Sequence, residues 1–315
     1  MTLRLVRNGE CEIAVYEDGR RGGETILLCH GWPDNHEMWN EVKPYLVDQF
    51  RVLSVDNRGH GQSTKSPDRS FSSAAKLAGD YAAVIDAMSP GKPVHIIAHD
   101  WGSAAVWELV SRADAAQYVA SFVSVAGPAM GHFADTVRSS FANRSLTGIA
   151  KSLAQIFLFS YMPFLTLPFV PKMLSRFASE KLLRRGVSLL EGIPQDRVHV
   201  SAECAEDMAG GVSIYRAAVR SDLWRGHSAP VSVPVAAFVG SRDPVIRRFS
   251  YGELTQCIGQ AKLVVLKGGH WLPLSRPAEI ASAAIELIQN RDATPAVVSA
   301  AAKLSDNGKE KADVN

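Results

Sequence analysis

Six short apolar runs recur along the chain, and the first five lead directly into turn residues. They are the predicted strands at residues 25–29, 51–55, 94–98, 121–125, 235–239 and 262–266. Runs that are apolar without alternation are typical of parallel strands buried on both faces. Helical patterns accompany them at residues 73–88, 103–112 and 278–289. This alternation predicts an α/β fold in which helices flank a mostly parallel sheet.

A long region without this alternation separates the fourth strand from the fifth. It has a mainly helical pattern, and strands resume at Val235. We therefore predict a helical cap, residues 131–225, inserted between two parts of one core, residues 1–130 and 226–290. The N-terminal stretch MTLRLVRNGECEIAVYEDG alternates like an edge strand, and the charged tail at 291–315 predicts a disordered segment or a linker.

Composition narrows the classes of function. The 315 residues carry a formal net charge of +2, which gives no sign of a nucleic-acid partner. The four cysteines lie far apart and form no metal-binding pattern, and the N-terminus lacks a signal-peptide core. We therefore expect free thiols in the reducing cytoplasm, with no metal and no organic cofactor.

One apolar run, IFLFSYMPFLTLPFV at residues 156–170, needs a separate explanation. It is too short to span a membrane, and Pro163 and Pro168 interrupt it. We expect no membrane span here, but a buried cap helix above a pocket. Contact with a membrane surface and an apolar substrate tunnel remain alternatives.

A sharp turn follows the third predicted strand, in the sequence AHDWG at residues 98–102. Small residues at Ala98 and Gly102 let the strand and the next helix approach closely. A side chain at the tip of such a turn is pushed out at the carboxyl end of the sheet. Many hydrolases have a serine there, whereas this chain has Asp100, which is the candidate nucleophile. The alternative is that Asp100 caps the next helix, predicted to begin near Ser103.

The motif HGWP at residues 30–33 directly follows the first predicted strand. A loop here can aim the backbone N–H of Trp32 at Asp100, and the N–H of Trp101 can supply a second donor. Such a pair forms an oxyanion hole, in which each donor contributes about 3 kcal/mol to the transition state. A plain turn is the alternative. Four neighbouring residues are expected to support the site: His30, Gly31, Pro33 and His99.

A carboxylate and a histidine follow the last two predicted strands. Asp243 lies in GSRDP, and His270 lies in GGHW. Because the carboxyl ends of parallel strands meet at one edge of a sheet, both side chains should emerge beside Asp100. A histidine that a carboxylate orients is a general base. We predict Asp100 as the nucleophile, His270 as the base and Asp243 as the residue that orients the base.

Together these motifs resemble the α/β-hydrolases of the epoxide hydrolase and haloalkane dehalogenase branch. HGWP, DNRGHGQS, AHDWGS, GSRDP and GGHW occur in that family's order, over about residues 1–290. More narrowly, AHDWGSAAVWE, SYMPF and the charged tail are similar to the hydrolase half of actinobacterial proteins of the epoxide hydrolase D type. Their carboxyl half is a short-chain dehydrogenase, so the resemblance implies a fused or separate dehydrogenase as a partner.

The resemblance also implies roles for two tyrosines of the cap. Epoxide hydrolases of this branch use cap tyrosines to protonate the oxygen that leaves carbon. Tyr215, in GGVSIYRAAVR, matches the second of them. This chain has Gln155 at the place of the first, and Tyr161 is the candidate replacement. Dehalogenases of the branch typically place a halide-binding asparagine where this chain has Trp32, which favours an epoxide substrate.

We therefore predict a cofactor-independent epoxide hydrolase that forms an alkyl ester on Asp100 and hydrolyses it with water activated by His270. The run at residues 156–170 should line the pocket, which predicts a hydrophobic, lipid-like epoxide. One alternative is a haloalkane dehalogenase, with Trp101 as a halide donor. Another is a hydrolase fold of low activity that binds lipid or serves a dehydrogenase. The oligomeric state stays open, and a dimer is compatible with the sequence.

Overall fold

The computed structural model describes residues 1–66, 68, 70–222, 231–252 and 261–290. Its centre is an eight-stranded sheet with the order β1-β2-β4-β3-β5-β6-β7-β8. The strands are β1 Thr2–Asn8, β2 Cys11–Gly19, β3 Thr25–Cys29, β4 Arg51–Val55, β5 Val94–His99, β6 Val119–Val125, β7 Val235–Gly240 and β8 Ala261–Leu266. β1 pairs with β2, and β2 with β4, in antiparallel fashion, whereas all other pairs are parallel. The predicted α/β fold with a mostly parallel sheet is confirmed.

The N-terminal stretch differs from the single edge strand that we predicted. It forms two strands, β1 and β2, which turn at Gly9 and Glu10 so that Asn8 pairs with Cys11. Gly9 has a φ of +61°, in the left-handed region that glycine adopts at little cost. A two-residue loop of this kind matches the twist of a hairpin. The alternation on both sides of the turn hid this signal.

Helices cover both faces of the sheet. They are α1 Ala74–Met88, α2 Asp100–Val110, α3 Ala115–Tyr118, α4 Met130–Ala142, α5 Leu146–Leu158, α6 Tyr161–Leu165, α7 Val170–Phe177, α8 Glu180–Glu191, α9 Cys204–Gly211, α10 Ser213–Ala217, α11 Leu272–Ser275 and α12 Pro277–Gln289. Alternate residues of β3 show why two layers form. Leu27 faces the core that contains Trp107 of α2, whereas Leu28 faces the core that contains Ile280 of α12.

Among the residues that the structure describes, seven α-helices, α4 to α10, follow β6 and precede β7 in the chain, in the region predicted as the cap. Gln155 of α5 anchors this region to the core, because its amide donates to the carbonyl of Val245 at 2.7 Å and accepts from the N–H of Arg247 at 3.1 Å. The predicted boundary near residue 226 and the predicted tail at 291–315 lie outside the described residues, as does Cys257.

The apolar part of the cap is longer than the run that we singled out. Within the described residues, the helical stretch Leu146–Leu165 is long and apolar enough to cross a membrane by length and composition alone, and 28% of it is buried. The structure divides this stretch into α5 and α6. Buried Gln155 anchors the stretch to the core. The run at residues 156–170 is not the buried helix that we predicted, because only one side of it packs on the rest of the fold and Phe157, Phe164 and Phe169 are exposed.

Candidate active site

Asp100 lies at the tip of the turn between β5 and α2. Its φ is +50°, which is uncommon for a residue that has a side chain. The surroundings are tight, because a Cβ added to Gly31 would lie 2.5 Å from the Cβ and the Oδ2 of Asp100. A Cβ added to Gly102 would clash with the carbonyl oxygen of His30. The turn therefore holds the Asp100 carboxylate against the loop that follows β3.

The carboxylate of Asp100 accepts hydrogen bonds from both predicted oxyanion donors. The backbone N–H of Trp32 donates to its Oδ2 at 3.0 Å, and the backbone N–H of Trp101 is the second donor. Helix α2 begins at Asp100 itself, three residues before the predicted start near Ser103. Because Trp32 belongs to a different loop, its bond with Asp100 is not helix capping. The amides are placed to hold an oxyanion formed on the Asp100 carboxyl group.

His270 connects Asp100 with Asp243. Its Nδ1 lies 2.8 Å from the Oδ2 of Asp243, and its Nε2 lies 3.7 Å from the Oδ1 of Asp100. The other oxygen of Asp243 accepts from the N–H groups of Val245 and Ile246, each at 2.8 Å. Asp243 is fully buried and held by three partners, so it fixes the ring of His270 with Nε2 directed at Asp100.

The pKa values of His270 and Asp100 are both raised, the first by neighbouring charges and the second by burial. Burial lowers the pKa of His270, but the carboxylates of Asp243 and Asp100 outweigh it and raise the pKa to about 9. Burial raises the pKa of Asp100, and His270 and the two amides partly offset this. The free protein therefore holds an imidazolium beside Asp100 at neutral pH.

The supporting histidines are buried and neutral. The N–H of Asn57 donates to the Nε2 of His30 at 2.9 Å, so the proton of His30 is on Nδ1 and bonds the carbonyl of Gly31 at 2.7 Å. Burial lowers the pKa of His30 to about 3. The Nε2 of His99 bonds the carbonyl of His270 at 3.0 Å, and burial and His270 lower its pKa. These bonds hold the loops after β3 and β8 in place. In the loop after β3, the peptide bond between Trp32 and Pro33 is cis.

Both predicted tyrosines lie close to Asp100. Tyr161, at the start of α6, lines one small cavity together with Asp100. The ring of Tyr215 lies 5.9 Å from that of Tyr161 and 5.3 Å from the rings of Trp32 and Trp101. Burial raises the pKa of both hydroxyls, and the charge of Asp100 raises them further. Both phenols therefore stay protonated and available as donors at the Asp100 carboxylate.

Two carboxylates near the site were not foreseen from the sequence. Burial raises the pKa of Asp34 to about 7, although the indole N–H of Trp271 donates to it at 2.9 Å. Glu191, at the end of α8, accepts from the N–H of Gly269 at 3.0 Å and from the N–H of Trp271 at 2.7 Å. Asp34 directly follows HGWP, so its position in the sequence could have placed it at the site. Nothing in the sequence around Glu191 indicates a place at the site, because only the fold brings α8 to the loop of His270.

A mostly apolar cavity of about 220 Å³ lies beside the loops that carry Trp32 and His270. Leu183 and Val187 of α8 line it from the cap, and Asp34 and Trp271 line it from the core. A larger cleft of about 1010 Å³ borders α4, and none of the five predicted catalytic side chains lines it. The described residues contain no cluster of His, Cys, Asp or Glu that could hold a metal ion.

The chain belongs to the α/β-hydrolase fold family, whose family model matches residues 24–277. Among curated relatives, it is 38% identical over 278 residues to probable oxidoreductase EphD of Mycobacterium tuberculosis, and the match covers 86% of this chain and 46% of that protein. The chain thus spans about half the length of this relative. It is also 25% identical over 313 residues to epoxide hydrolase A of the same species, covering 91% of this chain and 97% of that protein.

Solved structures give the same fold. An epoxide hydrolase of Bacillus megaterium in complex with an inhibitor matches with a TM-score of 0.72 and 18% identity, over 91% of this chain and 100% of that chain. A mutant epoxide hydrolase of Solanum tuberosum matches with a TM-score of 0.71 and 22% identity, over 92% and 99%. These likenesses confirm the predicted fold, whereas the family model and the match to EphD confirm the family resemblance.

Proposed function

We propose that the chain hydrolyses a hydrophobic epoxide to a vicinal diol. The observation that carries the proposal is the position of the Asp100 carboxylate, between the His270–Asp243 pair and the two cap tyrosines. An aspartate is suited to attack a strained sp³ carbon, and the tyrosine hydroxyls beside it are suited to protonate the oxygen that leaves that carbon. The relatives named as epoxide hydrolases support the same reaction.

In the first step, a carboxylate oxygen of Asp100 attacks a carbon of the ring, and an alkyl ester forms. The carbon–oxygen bond of the epoxide breaks, and the oxygen takes a proton from Tyr161 or Tyr215. The proton that the tyrosine loses is replaced through solvent. Asp100 becomes neutral in the ester, so the pKa of His270 falls and the imidazolium can release its proton.

In the second step, water attacks the carboxyl carbon of Asp100 while the Nε2 of neutral His270 takes its proton. The negative charge develops on the oxygen that the N–H of Trp32 contacts at 3.0 Å. When the tetrahedral intermediate collapses, the diol leaves with a proton from His270 and Asp100 is left as a carboxylic acid. Asp100 then passes its proton to the Nε2 of His270, which restores the carboxylate and the imidazolium of the free protein. Asp243 stabilises the imidazolium that forms between these events.

The substrate class follows from the cavity beside the site. Leucine and valine side chains of α8 line it, and an apolar cavity favours an alkyl or acyl chain over a small polar molecule. The test compares diol formation from a long-chain epoxy fatty acid and from glycidol. We expect a higher kcat/KM for the long chain. Higher activity on glycidol would contradict the substrate class, and halide release from bromoalkanes without diol formation would favour a dehalogenase.

The tyrosines give a second test of the reaction. Tyr161→Phe and Tyr215→Phe should each slow ester formation in a single turnover, by about 10²-fold or more, because a positioned acid contributes 10²–10⁴-fold. The exposed Tyr45, which lies outside the predicted cap, provides the matched control, Tyr45→Phe. An unchanged rate for either cap variant would remove that tyrosine from the mechanism.

Two further parts of the proposal concern the setting of the reaction. The described cysteines, Cys11, Cys29 and Cys204, are buried free thiols, which supports a reducing compartment such as the cytoplasm. A vicinal diol is also a substrate for oxidation, which supports a fused or separate short-chain dehydrogenase as a partner. Epoxide-dependent reduction of NAD(P)⁺ in a mixture with such an enzyme, lost in Asp100→Ala, tests the coupling.

A further inference from the structure

The cap exposes apolar stripes that no other described part of the chain covers. In α5, the residues Leu146, Ala150, Leu153 and Phe157 recur at helical spacing and all are exposed. Leu146 is 83% exposed and Phe157 is 75% exposed. An amphipathic helix on a protein surface normally turns polar residues outward, so a stripe of this kind indicates an interaction surface.

Helix α8 has a shorter exposed stripe of the same kind. Leu182, Arg185 and Leu189 follow one another at helical spacing on an exposed face, with Leu182 62% and Leu189 83% exposed. Between the two helices, the rings of Phe164 and Phe169 contact each other and both are exposed. The exposed sides of α5 to α8 are called the outer cap face below.

The outer cap face is strongly basic. Residues 146–191, which comprise α5 to α8, contain six lysines and arginines and two acidic residues, Glu180 and the buried Glu191, which gives a net charge of +4. The whole chain has a net charge of only +2. Basic side chains beside exposed leucine and phenylalanine are the pattern of helices that lie in the interface of an anionic membrane.

The same net positive charge argues against a second copy of the chain as the partner that binds the outer cap face. A symmetric dimer through this face would bring two surfaces of like charge together, and the repulsion would offset the burial of the leucines. An anionic bilayer satisfies both features, because acyl chains accept the apolar stripes and the headgroups neutralise the basic residues.

We propose that the outer cap face binds the surface of an anionic lipid bilayer, with the α5 stripe inserted among the acyl chains. Leu182 and Leu190 of α8 also border the cavity beside Trp32. A lipid-borne epoxide would therefore enter from the membrane side, a consequence that rests on the proposed function. Binding itself does not depend on catalysis.

The test is sedimentation of the chain with vesicles of phosphatidylcholine alone or mixed in equal parts with phosphatidylglycerol, without substrate. We expect binding to the mixed vesicles, weaker binding to the neutral ones, and release at high salt. The double substitution of Leu153→Ser and Phe157→Ser should weaken binding by about tenfold or more. Its matched control is Leu3→Ser with Leu5→Ser, at two exposed leucines of β1.

The basic residues have their own variant and control. Replacing Lys151 and Arg185 with glutamine should weaken binding to the mixed vesicles, whereas the same change at the exposed Arg20 and Arg21 should not. Equal binding by all variants, or none to either vesicle, would overturn the proposal. So would light scattering that shows a dimer which the α5 variant dissociates. Binding by Asp100→Ala, which lacks the nucleophile, keeps this test independent of catalysis.

Discussion

Replacing Asp100 with asparagine should lower the pKa of His270. The Nε2 of His270 lies 3.7 Å from the Oδ1 of Asp100, and the pKa of His270 in the free protein is about 9. At an effective dielectric constant of about 20, two unit charges about 4 Å apart interact by about 4 kcal/mol. One pKa unit corresponds to about 1.4 kcal/mol, so the Asp100 charge accounts for at most about three units.

We expect a fall of roughly one to three units, toward neutrality, because Asp243 remains and keeps part of the shift. The sign follows from the charge, since removing an anion destabilises the protonated imidazole. Asparagine keeps the shape of aspartate and an oxygen that can accept from the N–H of Trp32. It also imitates the neutral ester, so the variant reports the state of His270 in which water must be activated.

The assay is a titration of the imidazole Cε1–H signals by NMR with labelled histidine, and His270→Gln assigns the signal. Mass spectrometry of the peptide verifies that the asparagine has not been hydrolysed back to aspartate. Asp48→Asn, at an exposed position, is the matched control and should leave the pKa of His270 unchanged. If the His270 pKa in Asp100→Asn equals that of the unmodified chain, the electrostatic account of how the base forms is refuted.

Three further substitutions test individual parts of the site. His270→Gln should accumulate the ester, seen as a mass increase equal to that of the epoxide, and a chain of unchanged mass would contradict the role of the base. Glu191→Gln should slow ester hydrolysis more than ester formation, since its carboxylate holds the amides on both sides of His270; equal effects on both steps would contradict positioning. Gly31→Ala should cost about 10²-fold or more in kcat, because its Cβ would displace Asp100. Gly79→Ala in α1, where an added Cβ would meet only the Nδ2 of Asn8 at 3.8 Å, is its control, and equal losses would refute the packing argument.

The sequence was sufficient to predict where the side chains that follow strands would lie. Asp100 and Asp243 follow the buried strands β5 and β7, His270 follows the edge strand β8, and parallel strands end at one edge of the sheet. Local sequence therefore determined their meeting place. The hairpin at Gly9 could also have been predicted from local sequence, because glycine in a two-residue turn between two alternating segments indicates a hairpin.

The cap could not be derived in this way. Whether Tyr161 reaches Asp100 depends on the break between α5 and α6 and on how the helices pack, and neither follows from helical periodicity. Gln155 looked like a lost tyrosine, whereas the structure uses it to anchor α5 to the loop after Asp243. Glu191 meets the His270 loop across a large separation in sequence. Such contacts arise from tertiary packing alone.

The central claim is that Asp100 becomes covalently bound to the substrate and that water then attacks its carboxyl carbon. A single turnover with excess protein in ¹⁸O-water tests this most directly, by mass spectrometry of the peptide that contains Asp100. The account predicts ¹⁸O in the Asp100 carboxylate and an unlabelled diol after that turnover. ¹⁸O in the diol together with an unlabelled Asp100 would mean that water attacks the epoxide itself, and would contradict the account.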